Sequence, residues 1–290
     1  MLLLQTTSNN DLDKKVEVCR RKVFKCPSWL LDSWFHWLLL GSQLYDLAEA
    51  LYNRFKQLGG IEYLEDSITY YRQLERFNRC PIGDDNRSFY LSGLALALRT
   101  RFQQLGGMED LEEAVTLNRQ ALALRPHGHP NRPDSLNNLA SVMRTRFEQL
   151  GRMEDLEEVI TCHRQALVLR PHGHPDYSMS LNNLARALST RFEQMGGMED
   201  LEEAITCYRQ ALALRPHGHP DRSSSLNNLG NPVCTRYIQL GRMEELEEAI
   251  KCYRQALALR VFPHSHPNHS VTSPLPCTLA LLYMQRGRTL

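Results

Sequence analysis

The apolar positions of this chain follow a helical period, with a longer one superimposed on it. Leu136, Leu139, Ala140, Met143, Phe147 and Leu150 are spaced i, i+3, i+4, i+7, i+11 and i+14, one stripe on a helix. Gly151 follows, and a residue tolerant of the left-handed conformation predicts the end of that helix there. A second periodic segment opens with Glu154, Asp155, Glu157 and Glu158, carries Arg164 and Arg170 toward its far end and stops at Pro171. Acid in the first turn and base in the last both oppose the helix dipole, each worth about 0.3–1 kcal/mol. This predicts a second helix with a solvated acidic start. The connector HGHPD has the chemistry of a turn. No segment alternates apolar and polar residues for long enough to be a strand, so the predicted fold class is all-α.

The longer period is 45 residues: LNNL begins at Leu136, Leu181 and Leu226, and the first leucine of MEDLEEA or its near copies falls at Leu111, Leu156, Leu201 and Leu246. Met108–Pro126 and Met198–Pro216 are identical at 16 of 19 positions, the mark of one duplicated supersecondary unit. Weaker copies extend the array both ways. Leu47, Ala48, Leu51, Arg54 and Phe55 match Leu139, Ala140, Met143, Arg146 and Phe147, and Asp11–Pro27 aligns with a second helix. Near the far end Leu279, Ala280 and Tyr283 fall where a further first helix would lie, so both ends read as cut within a repeat. The expected organisation is degenerate repeats over residues 1–90, regular repeats over 91–260 and a partial repeat over 261–290. LNNLGNPVCTR places Gly230 and Pro232 inside a first helix, which predicts a kink, because an interior proline costs about 3 kcal/mol or more.

These residues resemble the tetratricopeptide repeat (TPR), whose pattern falls here on Leu136, Leu139, Ala140 and Met143, then Val159, His163, Ala166 and Pro171. In the next copy the second-helix positions are Ala204, Tyr208, Ala211 and Pro216. The LNNLA start and the His-Pro connector are similar to the kinesin-light-chain subtype, and the wording RFEQLG…MEDLEEAI…RQALALRPHGHPDR is similar to fungal TPR arrays. The resemblance covers roughly residues 11–287 and implies a right-handed α-solenoid of about five helix pairs. The repeat is longer than the family's 34 residues, with most of the added length between Ala140 and Val159.

Charge and composition narrow the function without naming it. Lys+Arg 34 against Asp+Glu 33 leaves a net charge of +1, too little to draw in nucleic acid or an anionic membrane surface. The most apolar run, Trp29–Leu40, is 12 residues long and contains Asp32 and His36, whereas a membrane span needs roughly 20 apolar residues. It predicts a buried helix. Eight cysteines without CxxC pairs and an N-terminus unlike a signal peptide predict reduced thiols and a cytoplasmic protein.

Candidate chemistry is sparse. His127/His129, His172/His174, His217/His219 and His264/His266 recur as HxH before proline, but two imidazoles make only half of a closed zinc site and no other ligand repeats beside them. They are assigned to the connector, and neither a metal nor a cofactor is expected. Cys162, Cys207 and Cys252 exchange with Leu117 in another copy, which reads as core packing. Phosphate loops and hydrolase motifs are absent from the sequence, so an enzyme is not expected.

The candidate partner-binding residues lie on the first helices, which line the concave face in such solenoids. They are Asn137, Asn138, Asn182, Asn183, Asn227 and Asn228, with Arg99, Arg144 and Arg186 one or two turns on. An asparagine amide can bond both peptide N–H and C=O, and a guanidinium can clamp a carboxylate through two bonds. The alternative for one asparagine of each pair is a bridge between neighbouring helices. The expected function is a non-catalytic scaffold holding a peptide or partner protein. Fungal arrays of this kind often precede a caspase-like (CHAT) protease domain, so the resemblance also implies a second reading, the sensor arm of a larger protease.

Overall fold

The computed structural model describes residues 14, 16–21, 34–76 and 84–261. The expectations placed on His264/His266, on Leu279, Ala280 and Tyr283, on residues 11–13, 15 and 22–27 of the Asp11–Pro27 segment, and on the burial of Trp29–Leu40 lie outside them. Every regular element among the described residues is an α-helix. After α1, helical over residues 16–21, come α2 (Trp34–Leu58), α3 (Ile61–Arg76), α4 (Asp84–Leu105), α5 (Met108–Ala123), α6 (Arg132–Leu150), α7 (Met153–Leu169), α8 (Tyr177–Met195), α9 (Met198–Ala213), α10 (Arg222–Leu240) and α11 (Met243–Val261). The chain divides into two compact units, Met1–Cys162 and His163–Leu290, the division falling within α7.

In the first unit α2 packs on α3 and α4 on α5, and α3 and α5 each pack on the first helix of the following pair. In the second unit α8 packs on α9 and α10 on α11, with α9 against α10. This is the paired-helix architecture of an α-solenoid. The stripe read from the sequence is the core: Leu136, Leu139, Ala140, Met143 and Phe147 are all buried, as are Leu181, Leu184, Ala185, Leu188 and Phe192 in α8. Leu150, the last member of the stripe, is exposed, because it sits in the final turn beyond the reach of the second helix. At the N-terminal end, Val16 and Cys19 pack on Leu47, Ala50 and Leu51, with Tyr63 and Tyr70 against the same cluster.

Helix ends follow the predicted chemistry. Gly151 adopts φ 65°, and its N–H bonds to the Phe147 carbonyl at 2.8 Å, closing α6 with a left-handed cap. Pro232 does not end α10, which continues from Arg222 to Leu240 around it. The proline ring is buried, and the Tyr253 hydroxyl from α11 donates to Asn231 Oδ1 at 2.8 Å beside it. Proline has no N–H to give, so the loss falls on the carbonyl one turn back, at Asn228, and the packed element is otherwise intact.

Glycine earns its place at residue 93. A Cβ there would stand 2.7 Å from the Tyr71 ring, which is buried against α4. Gly93→Ala is therefore expected to cost about 1 kcal/mol net, a clash of about 1–3 kcal/mol set against the roughly 1 kcal/mol that alanine gains over glycine in a helix. Chemical denaturation of the intact chain measures it; a stabilised variant would show that Tyr71 can move aside.

Candidate partner-binding surface

The 34 basic residues are mostly arginine, only six being lysine, and the structure shows where much of that excess goes. Arg146 of α6 grips Asp155 of α7 through two bonds, Nε at 2.9 Å and Nη2 at 2.6 Å, while its Nη1 reaches Glu112 of α5 at 2.8 Å. Arg101 repeats the arrangement with Asp110 at 2.7 and 2.6 Å and with Glu65 at 2.8 Å. Arg191 holds Asp200 at 2.7 and 2.6 Å, and Arg236 contacts Glu245 at 2.9 Å and Glu202 at 2.8 Å. Bonds to Asp110 and Asp155 raise the Arg101 and Arg146 guanidinium pKa values beyond their already high range. These planar forks tie each first helix to the second helix of its own pair, a geometry lysine could not supply.

A second ladder links second helices: Arg72–Glu113 and Arg119–Glu158 at 2.8 Å in the first unit, Arg164–Glu203 and Arg209–Glu248 at 2.7 Å in the second. The acidic helix starts are thus not simply a solvated face. Asp155 is only 3% exposed, and the correction follows from the fork that Arg146 inserts beneath the helix start. Arg164 and Arg170 also do more than oppose a dipole. Arg170 is 2% exposed and donates to Ser180 Oγ at 2.7 Å, as Arg125 does to Ser135 at 2.8 Å and Arg215 to Ser225 at 2.5 Å.

The HxH connectors act as turns. In the three described connectors the second histidine accepts a hydrogen bond at 3.1 Å from a backbone N–H two residues on: His129 from Asn131, His174 from Asp176, His219 from Asp221. The repeated cysteines are buried. Desolvation first, then the carboxylates of Glu158, Glu203 and Glu248, push the Cys162 thiol up to about 12 and those of Cys207 and Cys252 to about 11. Iodoacetamide at pH 8 is expected to spare all three in the native protein and to modify them in urea, with peptide mass spectrometry as the readout. Native labelling would place them at the surface. The sign of the linkage is also fixed. Above the ordinary thiol value of 9.0 the unfolded chain loses protons that the folded chain keeps, so stability falls as pH rises toward 11.

The nine candidate residues separate into two groups. In the second unit Asn228 Nδ2 donates to Asn182 Oδ1 at 3.0 Å, so α8 and α10 are joined by the bridge that the sequence left open as the alternative role. Asn183 and Asn227 are half-buried and Arg186 is exposed. In the first unit Asn137 is half-buried and Asn138 exposed. Arg144 pairs with Glu148 one turn on, and Arg99 donates to Ser141 Oγ across from α4 to α6. Burial lowers the Arg99 pKa and the Arg144 charge adds to that, while Tyr52 and Glu148 pull the other way.

Two of these candidates, Arg99 and Asn138, belong to one place. Arg99, Asn138 and Ser141 line a small cleft of about 70 Å³ together with Ser92, Leu96, Asn118 and Val142. Arg99 Nε, Asn118 Oδ1 and Ser92 Oγ are buried there without a hydrogen-bond partner among the described residues. Asn118 is 2% exposed, and an unmatched buried amide of this kind costs about 1–3 kcal/mol. Sequence reasoning missed Asn118, because in the other copies its position holds His163, Tyr208 and Tyr253. It also missed the Arg–Asp forks, although their signal was present: an arginine stands nine residues before an acid at 101/110, 146/155, 191/200 and 236/245.

Residues 134–176 and 178–221 match one family model described as tetratricopeptide repeat, and residues 237–260 match a second of the same description. The matched segments are tetratricopeptide repeats. No curated protein matches the sequence. Among solved structures the chain is similar to BtubC (BKLC) from P. vanneervenii, with 18% identity over 90% of this chain and 97% of that one and a TM-score of 0.61. A Podosopora anserina kinesin-light-chain candidate with nearly identical TPR-like repeats gives 20% identity, coverage of 76% and 97% and a TM-score of 0.56. The S. pombe nuclear import adaptor Nro1 gives 13% identity, coverage of 96% and 94% and a TM-score of 0.51. At these identities the likeness is one of fold. No helix among the described residues is long and apolar enough to cross a membrane.

Proposed function

We propose that this TPR array is a non-catalytic scaffold that binds an extended peptide of a partner protein along its first helices. The observation that carries this reading is the cleft between α4 and α6. Ser92 Oγ, Arg99 Nε and Asn118 Oδ1 include both hydrogen-bond donors and acceptors, so together they can match a peptide bond that offers one of each. Asn138 and Ser141 add further polar groups at its edge, and Arg144, paired with Glu148, stands one helical turn beyond. The repeated thiols are held protonated and the arginines of the forks and ladders are committed to carboxylates, whereas in the α4/α6 cleft Ser92 Oγ, Arg99 Nε and Asn118 Oδ1 have no hydrogen-bond partner among the described residues.

The reading is tested with a peptide selected from a random library on the intact chain. Asn138→Ala and Arg144→Ala are each expected to weaken that peptide about 5- to 30-fold, the equivalent of about 1–2 kcal/mol for one lost hydrogen bond, without change in far-ultraviolet circular dichroism. Weaker binding accompanied by lost helicity would make these residues structural.

A further inference from the structure

The N-terminal part of the same face has a different chemistry. Counting back from the paired asparagines by the repeat match, Tyr45 stands where Asn137 does and Asp46 where Asn138 does. Around Tyr45 lies an open cavity of about 350 Å³, lined by Ser42, Tyr45, Asn86, Phe89 and Tyr90. Its rings are held against one another. Tyr45 meets Tyr90 at 5.5 Å between centroids and Tyr71 edge-on at 6.0 Å, and Tyr71 is seated in the space that Gly93 leaves. Phe89 is 42% exposed, with the Arg125 guanidinium 4.5 Å from its ring centroid. That contact already shows a cation seated on this aromatic group.

Two carboxylates share α2 with Tyr45, Asp46 next to it in sequence and Glu49 one turn on. Asp46 and Glu49 are exposed and, among the described residues, neither has an ion-pair partner. This sets them apart from Glu65, Asp66, Asp110 and Glu113, all held by arginine. They are close enough to act on the phenol of Tyr45, which burial first and then Glu49 and Asp46 push up. Ring faces and uncompensated negative charge attract the same thing, a cation with a planar or apolar body. The Arg125 charge opposes a second cation, but it is buried beside Phe89 and committed to Ser135 Oγ.

From the aromatic cavity and the two unpaired carboxylates on the same stretch of α2 we infer that residues 42–49 of α2 and 86–90 of α4 form a subsite for an arginine side chain of the bound peptide. This rests on the first-helix reading above and adds the chemistry of one partner residue. The guanidinium stacks on Tyr45 and Phe89 and directs its N–H groups to Asp46 and Glu49, while Ser42 and Asn86 provide neutral acceptors at the mouth. It follows that the groove is not uniform along its length, being amide-reading at α4/α6 and cation-reading at α2/α4.

The probe is a fluorescent decapeptide, acetylated and amidated at its ends, with a single central arginine, compared with the same peptide carrying citrulline, which keeps the shape and loses the charge. Fluorescence anisotropy with the intact chain is expected to show the arginine peptide binding at least tenfold more tightly. That preference should vanish in the Asp46→Asn, Glu49→Gln double variant and fall in Tyr45→Leu, both retaining their helical signal. Asn138→Ala, remote in register, should weaken both peptides equally and leave the preference intact. Equal binding of the two peptides, with Asn138→Ala still weakening both, would overturn the cation subsite while the first-helix reading stands. Binding indifferent to Asn138, Asp46 and Glu49 alike would overturn both.

Discussion

Replacing Asp155 with alanine is expected to lower the stability of the repeats around α7 by about 3 kcal/mol, because it strands a guanidinium in a nearly closed site. The Arg146 side chain is 11% exposed and Asp155 accepts two of its bonds, at 2.9 and 2.6 Å. Glu112 at 2.8 Å remains as a partner and keeps the loss at the lower end of the range for a broken buried pair. The contrast is Glu158→Ala on the same helix. That residue meets Arg119 at 2.8 Å, but the side chains are 33% and 53% exposed, so its loss should cost less than about 0.5 kcal/mol. Each repeat contacts only its neighbours, so the damage should be local. Urea unfolding gives the total, and native-state hydrogen exchange should show it concentrated in α6 and α7. Equal effects from the two substitutions would mean that the fork is no more than another surface ion pair.

The second large effect is expected at Arg170. Its guanidinium is almost fully buried and donates to Ser180 Oγ at 2.7 Å, fixing the connector to the start of α8. Arg170→Ala removes both this bond and the volume of a long side chain, at a cost of about 3 kcal/mol. Arg170→Lys should recover less than half of the loss, because one ammonium cannot replace a guanidinium whose Nη1 meets Ser180 while Nη2 lies 3.6 Å from Asp176, and it must still be desolvated. Urea midpoints of the three proteins decide it. If lysine restores wild-type stability, the site needs only a positive charge.

The helices and their core could be read directly from the spacing of apolar residues, because a 3.6-residue stripe repeated every 45 positions admits few other packings. Leu136, Leu139, Ala140, Met143 and Phe147 are buried as the pattern requires, and Gly151 caps as its position suggests. The polar half was harder to read. Asp155 and Glu158 are neighbours in one acidic run, yet one is sealed beneath Arg146 and the other faces solvent with Arg119, a difference set by which side of the helix meets its partner. Asn182 and Asn228 carry their signal in a contact between repeats, which lies outside the pattern of any single repeat. Asn118 was hidden for a related reason: its role appears only once Arg99, Asn138 and Ser92 are brought round it.

The central claim is that the first helices receive the partner. Hydrogen–deuterium exchange of the intact chain with a library-selected peptide measures it most directly. The account predicts slowed exchange in α4 and α6 of the first unit. Slowed exchange confined to the second helices α5, α7, α9 and α11 would contradict it.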